Sequence, residues 1–583
     1  MDLNILGISA LYHDSACCIM QNGKLSAAAQ EERFTRKKHD ASMPYHAMMY
    51  CLEDRSLSIT DIDYLAYYEN PEKKLARQLW SGHCNSLKEV YQKLDPHRAE
   101  RDIREVLGYE GPIKIYDHHQ SHAASSYYYS GFESAAVMTV DGVGEWATTT
   151  YGLGKGSKLD IFEEVNFPNS IGLLYSTITS YLGFRVNNGE YKVMGLAPYG
   201  KPKYVDKIRG LITLLNNGQY ELKMEYFDFI RGEKMYTPLL AEHFGQTARE
   251  LESEVGQFHA DVAKSLQLVL EEIMLSKARY IHNITGEKNL CLAGGVALNC
   301  VANGKILRDG PFENIFVQPA SNDAGCSLGA AALAHVEVTG KRPFKEKMNH
   351  VYLGPKYSDD EIDIMMEATS IKWNKYQEEN QLIEQVANRL ADGKVIGWYQ
   401  QRMEFGPRSL GARSILADPQ TEDMRDRINK MVKKREQFRP FAPAVLAEKA
   451  SEHFDLDHPS PFMLETCQVN SKLKLPAITH CDNSARVQTV SDQTNPRFAR
   501  LLRRFDELTG CPILLNTSFN VRGEPIVCTP EDALKCFIST EIDCLVLENV
   551  IIDRSENSLE LLQWLVSHQQ HNSEISNDVY TFI

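Results

Sequence analysis

The chain has no long apolar segment and no basic leader. No stretch approaches the roughly 18 consecutive apolar residues needed to span a bilayer. Near the start, Asp2 stands where a secretory signal carries positive charge, and His13 and Asp14 interrupt the apolar run. We therefore expect a cytoplasmic protein that does not associate with membranes.

Positive charge and regularly spaced cysteines are also scarce. The 63 lysines and arginines are outnumbered by 78 aspartates and glutamates, and the resulting net charge of -15 argues against nucleic acid as the main partner. The 13 cysteines form no CxxC pair, and several lie within apolar runs. They are predicted to be buried, reduced thiols and not a disulfide framework.

The length of 583 residues exceeds what one ordinary hydrophobic core accommodates, so we predict two lobes. The charged stretch from Val338 to Asn349 lacks apolar periodicity and marks the boundary. The predicted domains are residues 1–345 and 346–583. In the second, helical and extended patterns alternate, as in Leu382 to Ala391 followed by Val395 to Tyr399, which predicts a mixed α/β lobe.

The first lobe contains two similar hairpin units. The first consists of Asn4 to Ser9, Ala16 to Met20 and Lys24 to Ala29, with an Asn22-Gly23 turn between the last two. The second consists of Ala135 to Val140 and Trp146 to Leu153, with Asp141-Gly142 after its first strand. Actin and the sugar kinases are built from such duplicated units, so we predict an α/β fold of this class by analogy.

Two histidines and two aspartates form a candidate metal site. His118 and His122 are four residues apart, a spacing that places both imidazoles on one face of a helix. Asp141 and Asp323 each stand where a strand gives way to a glycine-containing turn. Two nitrogens and two oxygens suit iron, manganese or zinc better than magnesium. The alternative is that the histidines serve only in packing.

Glycine-rich segments of the first lobe are candidate nucleotide-binding elements. Gly294-Gly295 follows a buried strand and would let a nucleotide approach the backbone, with Asn299 on the next helix. Lys192 and Gly195 belong to a segment ending at Gly200 that is interpreted as a phosphate loop, although it matches no Walker pattern. Each could equally be a structural turn.

The second lobe carries arginines among glycine, proline and aromatic residues, which is unusual for a merely solvated surface. Guanidinium groups with hydroxyl and amide donors bind phosphate oxygens, and some of these arginines could instead form structural ion pairs. The candidate residues are Arg408, Lys434, Arg486, Asn516, Ser518 and Arg522.

Polar residues near the start of the chain are a third candidate group. His13 follows the first strand and could act as a general base toward a hydroxyl group. Lys38 lies in a basic run that could equally be a solvated loop.

Ten segments, in order along nearly the whole chain, resemble the NodU/CmcH O-carbamoyltransferase family. They are GISALYHDSA, EERFTRKKH, DHHQSHAASS with SGFESAAVMTVDGVGE, YKVMGLAPYGKP, AGGVALNCVANGKI, PASNDAGCSLGAA, GWYQQRMEFGPRSLGARSIL, FRPFAP, SARVQTV and LLNTSFNVRGEPIVCTPEDA. The usual GPRALGNRS pattern of the family departs here at Ser409 and Ala412.

The resemblance implies an actin-like ATPase (ASKHA-type) lobe followed by a YrdC-like α/β lobe. The second lobe would convert carbamoyl phosphate and Mg-ATP to carbamoyl adenylate, and the first would transfer the carbamoyl group to a hydroxyl of a small-molecule natural product or sugar. It implies a divalent metal, Fe(II) before Mn or Zn, on His118, His122, Asp141 and Asp323. His13 and Lys38 would stand near the acceptor, and Arg408, Lys434, Arg486 and Ser518 would bind carbamoyl phosphate, with Asn516 and Arg522 close by. An enzyme of this size is compatible with a homodimer.

Three other functions are compatible with such a fold. A tRNA threonylcarbamoyl-type transferase would need a basic surface, which the net charge of -15 disfavours. A non-catalytic nucleotide- and metal-binding regulator would not need both sets of residues. A sugar kinase would produce ADP, whereas adenylation releases pyrophosphate and later AMP.

Overall fold

The computed structural model describes residues 2–82, 94–216, 218–230, 234–343, 345–433, 436, 438–439, 441–560 and 562–563. These fall into two compact units. The first unit contains residues 2–31 and the described residues from His39 to Met348; the second contains Glu32–Lys38 and the described residues from Asn349 onward. None of the described helices has the length and apolar character needed to cross a membrane.

The first sheet of the first unit begins with a three-stranded antiparallel meander. Its strands are β1 (Asn4–Ser9), β2 (Ala16–Gln21), β3 (Lys24–Gln30), β4 (Tyr64–Tyr67) and β5 (Ile113–Ile115), in the order β3-β2-β1-β4-β5. Asn22 and Gly23 form the predicted turn between β2 and β3, with φ of 52° and 79°. β4 pairs with β1, and β5 with β4, in parallel.

The second sheet of this unit repeats that arrangement. Its strands are β6 (Ser134–Val140), β7 (Ala147–Lys155), β8 (Lys158–Asn166), β11 (Asn289–Ala293) and β12 (Asn314–Val317). Between β8 and β11 the chain forms a separate two-stranded ribbon of β9 (Ile212–Leu214) and β10 (Tyr220–Leu222). The order β12-β11-β6-β7-β8 is that of the first sheet, a meander followed by two parallel strands. The predicted duplication, and with it the actin-like class of the first lobe, is confirmed.

Helices connect and cover these sheets. They are α1 (Tyr45–Asp54), α2 (Pro71–Ser81), α3 (Arg98–Leu107), α4 (His118–Tyr127), α5 (Ile171–Tyr181), α6 (Glu190–Leu196), α7 (Val205–Arg209), α8 (Pro238–Phe244), α9 (Gln257–Thr285), α10 (Cys300–Asp309) and α11 (Asp323–Thr339). α4 and α11 pack against each other, and α11 also covers β1. The polar ends of α4 and α11 thereby meet near the ends of β1 and β6.

The second unit is built on one mixed eight-stranded sheet with its own apolar core. Its strands are β13 (Asn374–Lys375), β14 (Ile396–Tyr399), β15 (Arg413–Ala417), β16 (Ala442–Leu446), β17 (Cys467–Gln468), β18 (Ser484–Ala485), β19 (Gln488–Val490), β20 (Ile513–Ser518), β21 (Cys544–Leu547) and β22 (Val550–Asp553), of which β17 and β18 form a separate pair. Its helices are α12 (Asp359–Glu367), α13 (Glu379–Ala391), α14 (Met424–Ile428), α15 (Ala450–His453), α16 (Pro496–Thr509) and α17 (Pro530–Ser539), and Glu32–Thr35 adds one helical turn. The predicted α/β character of the second lobe is confirmed.

Candidate functional site

The four predicted metal ligands converge in the first unit. His118 and His122 lie on one face of α4, Asp141 follows β6, and Asp323 begins α11. One ligand atom from each lies within 4.8 Å of the others. The Nε2 atoms of His118 and His122 are 3.2 and 3.4 Å from Asp141 Oδ2, and both are 3.6 Å from Asp323 Oδ1. All four side chains are buried.

Small residues allow these elements to approach closely. A Cβ at Gly329 of α11 would collide with the carbonyl oxygen of Ser121 in α4, and one at Gly172 would collide with the backbone of Asp141. Gly144 likewise packs against the ring of His119 and the side chain of His118. Glycine is therefore required where α4, α11 and the turn after β6 meet.

The electrostatics of the cluster match a cation site. Among the described residues, neither ring nitrogen of His122 nor either carboxylate oxygen of Asp323 has a hydrogen-bond partner. Burial favours the neutral form of Asp141, yet a hydrogen bond from His118 and the charges of His118 and His122 hold the pKa of its carboxyl group well below the ordinary value. Unpartnered buried imidazole and carboxylate groups are costly unless a metal ion binds them, so the donor set fits one.

Two further residues position this cluster; the sequence analysis did not identify Glu145 and assigned Gly295 only to nucleotide binding. Glu145 accepts hydrogen bonds from the backbone N–H of His118, at 2.9 Å, and of Asn70, at 2.6 Å. The backbone N–H of Gly295 donates to Asp141 Oδ1 at 2.9 Å. Glu145 lies only four residues after Asp141, but its partner at the start of α4 becomes apparent only from the tertiary structure.

His13 lies beside the same cluster. Its Nδ1 is 3.1 Å from Asp14 Oδ2 and 3.8 Å from Asp323 Oδ2, and Asp14 also binds His39 at 2.8 Å. Burial opposes protonation, but Asp323 and Asp14 outweigh it and raise the pKa of His13 to about 9. Lys38 is half-buried and belongs to the second unit.

The prediction that the segment around Lys192 and Gly195 forms a loop is wrong. Lys192 and Gly195 lie within α6, and Ala197–Tyr199 continues as a 3-10 turn. Lys192 is buried, and its Nζ donates to Glu252 Oε1 at 2.9 Å. The segment is helical because the Glu190 carboxylate accepts from Asn187 N, Gly189 N and Ser176 Oγ, which fixes the start of the helix.

The glycine pair forms the tight turn that its sequence indicates. Gly294 has φ of 92° and lies against the backbone of Val140, the residue before Asp141. Asn299 caps α10 by accepting from Ala302 N at 3.0 Å and exchanges two hydrogen bonds with Gln267. These residues hold the end of β6, and their role toward a nucleotide stays a prediction.

In the second unit, several candidate residues gather at the carboxyl end of β20. Asn516 is buried and donates to Gln488 Oε1 at 2.8 Å, and its own Oδ1 has no partner among the described residues. Lys433, also buried, donates to Ser518 Oγ at 3.1 Å and to Asn520 Oδ1 at 2.8 Å. Lys433 was not among the predicted site residues, although it directly precedes one.

The arginine-bearing loop folds around a buried carboxylate. Glu404 Oε1 accepts from the backbone N–H groups of Leu410, Ala412 and Arg413 at 2.7 to 3.2 Å. Arg413 is fully buried, stacks 3.5 Å from the Tyr399 ring centroid and donates to backbone carbonyls, so it is structural.

The other residues predicted to bind carbamoyl phosphate differ in exposure. Arg408 and Arg486 are half-buried, whereas Arg522 is exposed. Lys434 lies outside the described residues. The structure therefore brings Asn516 and Ser518 together at β20 and leaves the roles of the other four as predictions.

The fold defines the chain as a two-unit α/β protein whose first unit has the duplicated actin-like topology. Its sequence matches the family model described as Carbamoyltransferase N-terminus over residues 4–332 and that described as Carbamoyltransferase C-terminus over residues 387–554. The chain belongs to the carbamoyltransferase family and is a carbamoyltransferase, as the resemblance predicted.

Relatives extend over most of the chain. An uncharacterized protein of Synechocystis is 45% identical and covers 95% of this chain and 97% of its own length. Nodulation protein NolNO of Sinorhizobium fredii is 40% identical, covering 94% of this chain and 80% of its own length. Nodulation protein NolO of Bradyrhizobium diazoefficiens is 41% identical, with 76% and 80% covered.

Proposed function

We propose that this carbamoyltransferase makes carbamoyl adenylate from carbamoyl phosphate and ATP and then transfers the carbamoyl group to a hydroxyl of a small-molecule natural product or sugar. The observation that carries the proposal is the buried cluster of two imidazoles and two carboxylates whose ligand atoms lie within 4.8 Å of one another. Such a centre suits a reaction in which an adenylate phosphate must be anchored.

The first half-reaction is assigned to the predicted second domain, from residue 346 onward. Carbamoyl phosphate reacts with water to give carbamate and phosphate, and a carbamate oxygen attacks the α-phosphorus of ATP and displaces pyrophosphate. Arg408, Arg486 and Lys434 supply positive charge for the phosphate oxygens, with Arg522 close by. Ser518 and Asn516 offer a hydroxyl and an amide at the end of β20, and Lys433 fixes that strand end.

The second half-reaction is assigned to the predicted first domain, residues 1–345. His118, His122, Asp141 and Asp323 would hold a divalent metal, Fe(II) in preference to Mn or Zn, which supplies Lewis-acid stabilisation of phosphate charge. His13 lies against Asp323, whose charge holds the imidazole protonated; a metal on Asp323 would offset that charge, and the neutral imidazole could then accept the proton of the attacking hydroxyl. The hydroxyl oxygen attacks the carbamoyl carbon, and AMP leaves. Lys38 is retained as a residue near the acceptor.

Nucleotide recognition in the first unit is assigned to the turn at Gly294-Gly295 and to Asn299. Lys192 and Gly195 support this role less directly, because their segment is helical and Lys192 pairs with Glu252. The protein would work in the cytoplasm with ATP, carbamoyl phosphate and the acceptor as its small-molecule partners, and could do so as a homodimer.

The proposal is tested by incubating the purified protein with ATP, carbamoyl phosphate and Fe(II) or Mn(II). Mass spectrometry should detect carbamoyl adenylate and pyrophosphate, and Arg486→Ala should lose both. His122→Ala should still produce carbamoyl adenylate, because the altered residue lies in the other unit. Formation of ADP alone, or no turnover with any metal, would exclude the adenylate route and favour a kinase-type reaction.

A further inference from the structure

A short segment from the start of the chain belongs structurally to the second unit. Glu32–Lys38, here the bridging segment, groups with the described residues from Asn349 onward, although residues 39–348 of the first unit lie between them in the chain. It forms one helical turn and then places Arg36 at a φ of 60°. A positive φ is uncommon and costly for a residue other than glycine, so its occurrence here indicates a specific role for the Arg36 side chain.

Arg33 of the bridging segment holds the loop that bears Arg408, here the Arg408 loop. Its Nη2 donates to the carbonyl oxygen of Gly406 at 2.9 Å, and its Nη1 lies 2.9 Å from Glu32 Oε1. Arg33 is only 4% exposed, and a buried hydrogen bond from a charged donor is a strong one. Gly406 stands two residues before Arg408 and has φ of 121°. Arg33 therefore fixes the backbone from which the Arg408 side chain extends.

Arg36 holds the loop that follows β20 and bears Arg522, here the Arg522 loop. Its Nη1 donates to the carbonyl oxygen of Ile526, and its Nη2 to that of Pro525, both at 2.8 Å. One planar guanidinium that binds two successive carbonyls fixes both the position and the orientation of that backbone. The contact lies three residues after Arg522 in the chain.

An aromatic side chain packs between these two contacts. Phe34 lies against the apolar group formed by Met403, Ile526 and Cys528. Met403 precedes the Arg408 loop, whereas Ile526 and Cys528 lie at the end of the Arg522 loop. The bridging segment thus contacts both loops, through two arginines and a ring between them.

We propose that Arg33 and Arg36 are positioning residues for the binding of carbamoyl phosphate, because each fixes a loop that presents a guanidinium to that substrate. This rests on the proposed function in so far as Arg408 and Arg522 bind carbamoyl phosphate. Neither arginine of the bridging segment touches the substrate in this role. Small displacements of a ligand-binding group are enough to weaken binding, so the contacts to the two loops set the affinity.

Steady-state release of pyrophosphate by the full-length protein tests this role. Arg33→Ala and Arg36→Ala should each raise KM for carbamoyl phosphate by about tenfold or more and KM for ATP by less than about threefold. Arg33→Lys should recover much of the loss, because an ammonium group can still donate to one carbonyl. Arg36→Lys should not, because it cannot reproduce the planar fork that spans two carbonyls.

Arg389→Ala is the matched control. Arg389, on α13, likewise pairs with a carboxylate, that of Asp553 at 2.7 Å, and donates to a backbone carbonyl, that of Gln385 at 2.9 Å. These partners lie outside both loops. The substitution should lower the unfolding temperature and leave both KM values within about twofold of those of the unaltered protein.

Circular dichroism should first establish that each variant is folded. If Arg33→Ala does not fold, Arg36→Ala carries the test, since the Arg36 side chain is 28% exposed. Isothermal titration of carbamoyl phosphate in the absence of ATP gives the same comparison of affinities without turnover.

The outcomes separate the positioning role from the proposed function. If folded Arg33→Ala and Arg36→Ala kept the KM for carbamoyl phosphate of Arg389→Ala, the positioning role would be refuted and the proposed function would stand. Equal increases in KM for both substrates would also refute it, because they would indicate general loosening of the unit. Absence of both pyrophosphate release and carbamoyl phosphate binding in the unaltered protein would refute the proposed function and the positioning role with it.

Discussion

At the scale of single residues, Glu145 acts as a cap for a helix that lies elsewhere in the chain. The side chain of Asp117, at the N-cap position of α4, makes no capping hydrogen bond. The Glu145 carboxylate caps the helix instead, because it accepts a hydrogen bond from the backbone N–H of His118. The first residue of the helix is also a candidate metal ligand, so this contact couples the stability of α4 to the position of an imidazole.

Glu145→Ala should therefore lower the free energy of unfolding by about 1–2 kcal/mol, the cost of losing a helix cap, because the buried N–H of His118 and the partly buried N–H of Asn70 lose their acceptor. It should also weaken metal binding by about 10- to 100-fold, as loss of a supporting group does. Urea denaturation and isothermal titration calorimetry measure these effects. Asp117→Ala is the matched control, since that side chain contacts the exposed Lys73 instead. Equal effects of both substitutions would contradict the assignment.

A second residue-scale prediction concerns pH. The hydrogen bond that His458 donates to the Glu465 carboxylate, 3.0 Å away, raises the pKa of His458 to about 9, and Asp457 at 2.9 Å adds to this. The folded pKa exceeds the unfolded value of about 6.5, so the stabilisation is fully present below that pH and is lost as pH rises through about 9.

His458→Asn should accordingly lower the urea midpoint near pH 6 and change it little above about pH 9.5. Glu465→Gln should reproduce this pattern, because it removes the main cause of the raised pKa. A midpoint difference that is the same at both pH values would show that the histidine stabilises the unit by packing instead.

At the scale of elements, the close contact between α4 and α11 assembles the candidate centre. Gly329→Ala would place a methyl group against the Ser121 carbonyl, so the helices must separate. We expect a loss of about 1–3 kcal/mol in the free energy of unfolding, as for other overpacked sites, together with weaker metal binding. Urea denaturation and calorimetric titration measure both.

Gly256→Ala is the control for this substitution. Its Cβ would meet its nearest neighbour, His259 Nδ1, at an ordinary 3.8 Å, and its φ of -101° is open to alanine. If Gly329→Ala bound metal as tightly as Gly256→Ala, the packing of α4 on α11 would not be what positions the ligands.

Sequence patterns predicted those elements whose conformation is determined by contacts between residues close together in the chain. The β2–β3 hairpin follows from the Asn22-Gly23 turn, in which both residues have positive φ. The segment from Lys192 to Gly200 was mistaken for a loop because Ser176, a residue of another helix, helps to fix the Glu190 side chain at its start. Glu145 was not identified because its partner, the backbone N–H of His118, belongs to another element.

At the scale of the whole molecule, the candidate groups separate into two sets. The imidazoles and carboxylates belong to the unit with duplicated sheets, whereas the arginine-bearing loop and the end of β20 belong to the unit with one mixed sheet. Each unit has its own sheet and its own ordered polar cluster. The proposed function assigns adenylation to one of these sets and transfer to the other.

This division predicts that the two ligands protect different parts of the chain from hydrogen exchange. Co(II) should slow hydrogen exchange in peptides from α4 and the start of α11, and carbamoyl phosphate should slow it around Arg408 and Ser518. At a ligand concentration of 100 times the dissociation constant, the free energy of the opening that permits exchange should rise by up to about 2.7 kcal/mol. Mass spectrometry of the full chain locates the protection. His122→Ala should abolish protection by Co(II) and keep protection by carbamoyl phosphate. Arg486→Ala should abolish protection by carbamoyl phosphate and keep protection by Co(II). Protection of α4 by carbamoyl phosphate in the absence of ATP would instead place the binding of that substrate in the first unit and overturn the assignment of the two half-reactions.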